Sequence, residues 1–197
     1  MGTTEFIGRS ALLFLAGSLP FAFIAAKVFG GKDIREVADG NPGAVNAFRT
    51  AGPVVGSAVL LLDFLKGVVP LLLWLDGASS WQKPVLAMMP VLGHAFMPWL
   101  GFKGGKAITT SFGVWTALTM WEGPVAMGAG AVLSLLLAGR KSEYVKAATI
   151  MASLGAYLAI TGKGAGLWAV FAADAIIMGF KQWQYESSTR KGARRWS

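Results

Sequence analysis

Seven apolar runs divide this chain, and most of its charges fall in the short breaks between them. The runs are Phe6–Val28, Ala51–Leu75, Pro84–Leu100, Ala107–Trp121, Pro124–Ala138, Val145–Ile160 and Ala165–Phe180. A helix rises about 1.5 Å per residue, so about 20 residues cross a hydrocarbon core and about 17 are the usual minimum. The first three runs reach that minimum. The last four, at 15 or 16 residues, suit spans in a thinned bilayer, re-entrant segments or buried helices. Only 14% of the residues are charged and 54% are hydrophobic, with a mean hydropathy of +0.55. Too little polar surface remains to clothe a water-soluble globule, which excludes a disordered chain, a nucleic-acid-binding domain and an ordinary cytosolic enzyme. The pattern predicts an all-α integral membrane protein: a bundle of about seven transmembrane helices, one multi-pass domain over 1–197, ending in a basic tail over 181–197. Ala25-Ala26 resembles a signal-peptide cleavage site. The apolar part before it, from Ala11, is slightly longer than a typical signal core, and only Arg9 precedes it as a basic residue, so a helix is the expected outcome.

Charge predicts the orientation. With seven spans, one side carries Lys27, Lys32, Arg35, Arg49, Lys103, Lys106, Arg140, Lys141, Lys146, Lys181, Arg190, Lys191, Arg194 and Arg195. The other carries Arg9, Lys83 and Lys163, while Lys66 lies within a span. Basic residues favour the cytoplasmic side, so the N-terminus is expected outside and the C-terminus in the cytoplasm. Gly52-x-x-x-Gly56 and Ala152-x-x-x-Ala156 have the spacing of close helix–helix contacts. The absence of Cys and the presence of a single His leave no thiolate or His-cluster metal site, and no cofactor is expected.

Three polar clusters map to the predicted cytoplasmic side. Asp39 to Arg49 contains Gly40 and Gly43 for tight turns, the amides of Asn41 and Asn46, and in Arg49 a guanidinium able to grip phosphate bidentately. Asp63 and Lys66 share a helix face inside the second run, where an ionisable residue costs about 2.5–3.5 kcal/mol to insert and needs a partner or a wet pocket. A structural ion pair and a functional one both satisfy that need. The third cluster runs from Gly93-His94 to Lys106. Gly101, Gly104 and Gly105, with Lys103 and Lys106, precede a helix start, where backbone N–H groups and two ammoniums suit an anion. Leu100 and Ala107 break the Walker A pattern, which excludes a P-loop NTPase. His94 has the side chain whose unperturbed pKa suits a base near neutrality.

The order and spacing of Asp-Gly-Asn-Pro-Gly-Ala-x-Asn-x-x-Arg (39–49), Asp-x-x-Lys-Gly-x-x-Pro (63–70) and Gly-His-x-Phe-x-Pro…Phe-Lys-Gly-Gly-Lys (93–106) resemble the bacterial acyl-phosphate:glycerol-3-phosphate acyltransferase family, the PlsY family. The resemblance implies a seven-helix bundle of the bacterial plasma membrane. It would move a fatty acyl group from acyl phosphate to glycerol 3-phosphate, giving 1-acyl-glycerol 3-phosphate for phospholipid synthesis, without cofactor or metal and with membrane lipid and the two substrates as partners. The implied catalytic residues are His94, Asp63 and Lys66. The implied substrate and phosphate contacts are Asp39, Gly40, Asn41, Gly43, Asn46, Arg49, Lys103, Gly104, Gly105, Lys106 and Thr110. The acyl chain would lie between helices in contact with lipid. Three departures stand out: Asp39 where the family usually has Ser, Ala107 where it usually has Gly, and Lys181-Gln-Trp-Gln-Tyr-Glu186 where a His-Arg-x-Asn run is usual. A non-catalytic relative or a small anion transporter would use the same phosphate sites, although a transporter needs access from both faces.

Overall fold

A computed structural model describes residues 1–138 and 143–193, and among these every regular element is helical. The α-helices are α1 (Thr3–Gly17), α2 (Phe21–Gly30), α3 (Ala44–Trp74), α4 (Gln82–Ala95), α5 (Ile108–Thr119), α6 (Glu122–Ala138), α7 (Glu143–Ile160) and α8 (Ala165–Ala193). They fall on the seven apolar runs, with the first run divided in two. The division has a local cause. Pro20 lacks the N–H a continuing helix needs, and Ser18 closes α1 by donating its hydroxyl to the Leu15 carbonyl at 2.8 Å. The segments Thr3–Gly30 and Ala44–Trp74 are each long and apolar enough to cross a bilayer.

Three other boundaries differ from the sequence expectation. α3 begins at Ala44 rather than Ala51, because a short helix ahead of the span joins it across Gly52, whose φ of 82° only glycine adopts without strain. α4 stops at Ala95, and Pro98 opens a short 3-10 turn to Leu100. α8 continues through the basic segment as far as Ala193, so residues 181–193 extend a helix. Arg140, Lys141, Arg194 and Arg195 lie outside the described residues.

The close helix crossings also differ from those expected. Gly52 is the kink, a Cβ on Gly56 would strike the Phe48 ring of its own helix, and Ala152 and Ala156 face outward. The actual crossings use other glycines. A Cβ on Gly17 would lie 2.2 Å from the Pro90 carbonyl oxygen, and one on Gly93 would lie 2.1 Å from that of Phe14, so α1 and α4 touch backbone to backbone. Gly67 and Gly113 do the same for α3 and α5, at 2.4 Å from the Thr110 oxygen and 2.2 Å from the Phe64 oxygen. Gly130 brings α6 against Thr149 of α7. Lipid tails are as apolar as Leu, so such close approach supplies packing that hydrophobic burial cannot. Inside, Leu13, Leu86, Val114, Trp115, Leu154 and Met178 form one buried cluster. Asp174 of α8 accepts from Ser111 at 2.7 Å and from the Trp115 indole at 2.9 Å, tying α8 to α5. Large apolar side chains such as Leu72, Leu73, Val132 and Leu136 point outward, as a lipid-facing surface requires.

Candidate active site

The three polar clusters meet at one end of the bundle around a cavity of about 670 Å³. Asp39, Asn41, Gly43, Asn46, Arg49, Asp63, His94 and Lys106 all contribute to its wall. Residues more than fifty positions apart are brought together because α3, α4 and α5 present their polar ends to the same face.

Asp63 is the hub. Its Oδ1 lies 2.7 Å from the Lys66 ammonium, and both side chains are buried. The break after α1 leaves the Leu19 carbonyl without its helical partner, and Lys66 donates to it at 3.0 Å, with the Phe21 ring 5.7 Å away. Lys66 is therefore held by protein groups and is absent from the cavity wall. His94 Nδ1 sits 3.8 Å from the same Asp63 oxygen. Thr110 donates its buried hydroxyl to the Asp63 carbonyl at 3.0 Å, which locks α5 to α3 and turns that hydroxyl away from any ligand.

The glycine loop differs from the expected cradle. The Gly104 N–H donates to the Ala95 carbonyl at 3.2 Å and the Gly105 N–H to the His94 carbonyl at 2.9 Å, so neither is directed at an anion. The glycines allow the loop to lie on α4: a Cβ on Gly104 would sit 2.1 Å from the His94 oxygen, and one on Gly105 would sit 2.2 Å from the imidazole Nε2. Lys103 is exposed and outside the cavity wall. What does face the cavity is the start of α5. Ala107, left-handed at φ 64°, precedes it without a side-chain cap, and Ile108 and Thr109 of the first turn line the wall beside Lys106. An uncapped helix N-terminus carries about half a positive charge and free N–H donors.

Lys106 is held by acids. Its ammonium lies 2.9 Å from Asp39 Oδ2 and 3.5 Å from Glu143 Oε2, with the Tyr185 ring 5.6 Å away. Asp39 Oδ1 accepts from the Asn46 amide at 2.9 Å and the Asn41 N–H at 3.2 Å. Burial pushes the Asp39 carboxyl up, but the Lys106 ion pair and these two donors outweigh it and hold it below the usual carboxylate range. Asn46 also meets the Val37 and Asn41 carbonyls, so it fixes the loop, in which Gly40 at φ 71° packs on the Arg35 carbonyl. Arg49, on the exposed rim, donates to Asn46 Oδ1 at 3.1 Å.

The helical continuation of α8 supplies wall residues that the sequence reading missed. Gln182, Tyr185 and Glu186 line the cavity, as do Glu143 and Lys146 of α7. Tyr185 donates its hydroxyl to the Gly104 carbonyl at 2.7 Å and clamps the glycine loop from above. Lys181 is buried between the Phe96 and Tyr185 rings and donates to Gln184 at 2.7 Å. Both amide atoms of Gln182 and Oδ1 of Asn41 are buried without a hydrogen-bond partner among the described residues. Buried polar atoms are usually paired, so two such side chains on one wall mark a surface suited to a polar ligand.

A sequence model of the family described as glycerol-3-phosphate acyltransferase matches residues 8–193. The chain belongs to the glycerol-3-phosphate acyltransferase family. It is 35% identical over 193 residues to the glycerol-3-phosphate acyltransferase of Methylorubrum extorquens, covering 96% of this chain and 90% of the relative. It is 43% identical over 118 residues to glycerol-3-phosphate acyltransferase 1 of Thermotoga maritima, a match that spans 58% of each chain. Its fold is similar to that of PlsY, an integral membrane glycerol 3-phosphate acyltransferase, solved in its glycerol 3-phosphate form. There the TM-score is 0.82 and the identity 25%, over 95% of this chain and 92% of the other.

The Asp39–Lys106 contact predicts a pH signature. A carboxyl whose folded pKa is lowered stabilises the fold above its unfolded pKa, and that contribution is lost as pH falls through the folded value. Asp39→Asn is expected to lower the melting temperature of the purified protein at neutral pH. The gap to wild type should hold down to about pH 5 and close below about pH 4, where ordinary carboxyls protonate. A gap that persists at the lowest pH would show that Asp39 acts through shape rather than charge.

Proposed function

We propose that this protein is a membrane acyltransferase that moves a fatty acyl group from acyl phosphate to glycerol 3-phosphate, giving 1-acyl-glycerol 3-phosphate. The observation that carries the reading is the convergence of Lys106, Arg49 and the uncapped start of α5 on one cavity beside His94. In the reaction a glycerol hydroxyl oxygen bonds to the acyl carbonyl carbon, the bond from that carbon to the phosphate oxygen breaks, and inorganic phosphate leaves with the hydroxyl proton. Phosphate is already a good leaving group, so the protein has chiefly to hold two anions in line. Among the described residues no Ser or Cys nucleophile is paired with His94, which suits direct attack without an acyl-enzyme.

In this reading Lys106 exchanges its carboxylates for a substrate phosphate, with the α5 N–H groups completing the contact and stabilising the leaving phosphate. Arg49 meets the second anion at the rim. Asn41 and Gln182 hydrogen-bond the glycerol hydroxyls. Asp63 holds the ammonium of Lys66 and sets a carboxylate beside the imidazole of His94, and Lys66 acts as a positioning residue rather than a phosphate contact. Gly104 and Gly105 keep the loop close enough to α4 for this arrangement, Thr110 and Asn46 brace it, Gly40 and Gly43 shape the facing loop, and Lys103 adds positive charge at the surface. Two groups can take the hydroxyl proton: His94, and a phosphate oxygen of the substrate, which titrates in the same range.

A reconstituted assay with acyl phosphate, acyl-CoA and acyl-carrier protein as alternative donors tests the reading. Transfer from acyl phosphate is expected; transfer only from a thioester would overturn the donor assignment. Asp39→Ser frees Lys106 and is expected to keep or raise kcat/KM, mostly through KM, whereas complete loss of activity would place the carboxylate in the chemistry. With His94 as base, His94→Ala should lower kcat about 10²–10⁴-fold and remove the acidic limb of the pH profile. Retention of that limb would assign the proton to the substrate phosphate.

The proposed setting is the bacterial plasma membrane, with the cavity at the cytoplasmic face and the N-terminus outside, because basic residues gather at the cavity end. Reporter fusions at Gly77 and at Ser197 are expected to report opposite sides. A common side would defeat this orientation.

A further inference from the structure

One ionisable side chain at membrane depth takes no part in the proposed transfer. Asp174 lies within the last apolar run and is fully buried, a position that is costly for a carboxyl group and by default functional. Its described partners are both neutral: the Ser111 hydroxyl donates to Oδ1 at 2.7 Å and the Trp115 indole N–H to Oδ2 at 2.9 Å. Among the described residues these are the hydrogen bonds that join α8 to α5, whereas α8 packs closely along α4 and α7. The contact sits just below the polar cavity. On α5, the Ser111 N–H closes the first helical turn on the Ala107 carbonyl at 2.8 Å, and Ile108 and Thr109 of that turn are cavity wall. On α8, Asp174, Met178 and Gln182 follow at four-residue intervals along one buried face, and Gln182 is cavity wall. The rise from Asp174 to Gln182 is about 12 Å. Three residues further, Tyr185 fixes α8 a second time, through the Gly104 carbonyl at 2.7 Å. The stretch of α8 that carries Gln182 is thus held at both ends, by Asp174 from below and by Tyr185 from above.

Resting on the acyltransferase reading, we propose that Asp174 is a positioning residue for glycerol 3-phosphate: it fixes the register of α8 against α5 and so keeps the Gln182 amide in the cavity. Hydrogen-bond chemistry dictates which changes it tolerates. The Trp115 N–H can only donate, so the atom facing it must accept, while the Ser111 hydroxyl can donate or accept. Asp174→Asn meets both demands, with the amide oxygen on Trp115 and the amide N–H on Ser111. Asp174→Leu has nearly the same shape and meets neither, leaving the buried indole N–H without a partner.

The test measures kcat and KM for glycerol 3-phosphate in the reconstituted protein. Asp174→Leu is expected to raise KM about tenfold or more with kcat changed less than about threefold, and Asp174→Asn to keep KM within about threefold of wild type. Trp115→Phe, which keeps an aromatic ring and removes the N–H, takes the place of Asp174→Leu should that variant not fold, with the same rise in KM expected. A residue that acts through Gln182 has little further effect once that amide is gone. Gln182→Ala is therefore expected to raise KM by itself, and Asp174→Leu to add less than about twofold in that background. Effects that multiply in the double variant would overturn the inference, as would a KM unchanged in folded Asp174→Leu or in Gln182→Ala, or raised equally in Asp174→Asn. Absence of transfer from any acyl phosphate in wild type would instead overturn the underlying reading.

Discussion

A buried ammonium, that of Lys66, sets the terms for much of this structure. Placed at membrane depth, it needs compensation, and its partners come from three places in the fold. Asp63 lies one turn away on α3, the Leu19 carbonyl is released by the break at Pro20, and the Phe21 ring faces the charge. The divided first run is thus part of the solution rather than an imperfection in it. Asp63 in turn gathers His94 from α4 and Thr110 from α5. Removing one member of such a pair leaves the other buried and uncompensated, which is far costlier than the pair itself.

Glycine does the complementary work on the backbone. The crossings at Gly17 and Gly93 and at Gly67 and Gly113 hold the helices at distances that any Cβ would prevent, and Gly104 and Gly105 let a loop rest on the end of α4. The first four of these shape the bundle, and the last two shape the cavity. α5 is only 12 residues long, and its uncapped N-terminus opens on the polar cavity.

Much of this could be read from the sequence because the constraints were local. Asp63 and Lys66 announce a pair by their spacing, and the apolar runs announce the helices. The glycine loop was misread in one respect: its N–H groups are spent on α4, a partnership between segments that spacing alone does not reveal. Asp39 pairs with Lys106, 67 positions away, a contact that only the folded chain reveals. Gln182 and Tyr185 were missed because the segment lacks the expected His-Arg-x-Asn run and is rich in charge, which reads as a solvated tail. Only the packing of α8 onto the loop, through the Tyr185 hydroxyl, shows that it belongs to the site.

In the proposed reaction Lys106, shared between Asp39 and Glu143, passes to a substrate phosphate when one enters. Calorimetric titration of the purified protein with glycerol 3-phosphate tests this most directly, comparing wild type with Lys106→Met. A charge-assisted hydrogen bond contributes about 1.5–3 kcal/mol, so the variant should bind about 10- to 100-fold more weakly. Equal affinities in a folded variant would contradict the claim and return Lys106 to a purely structural role.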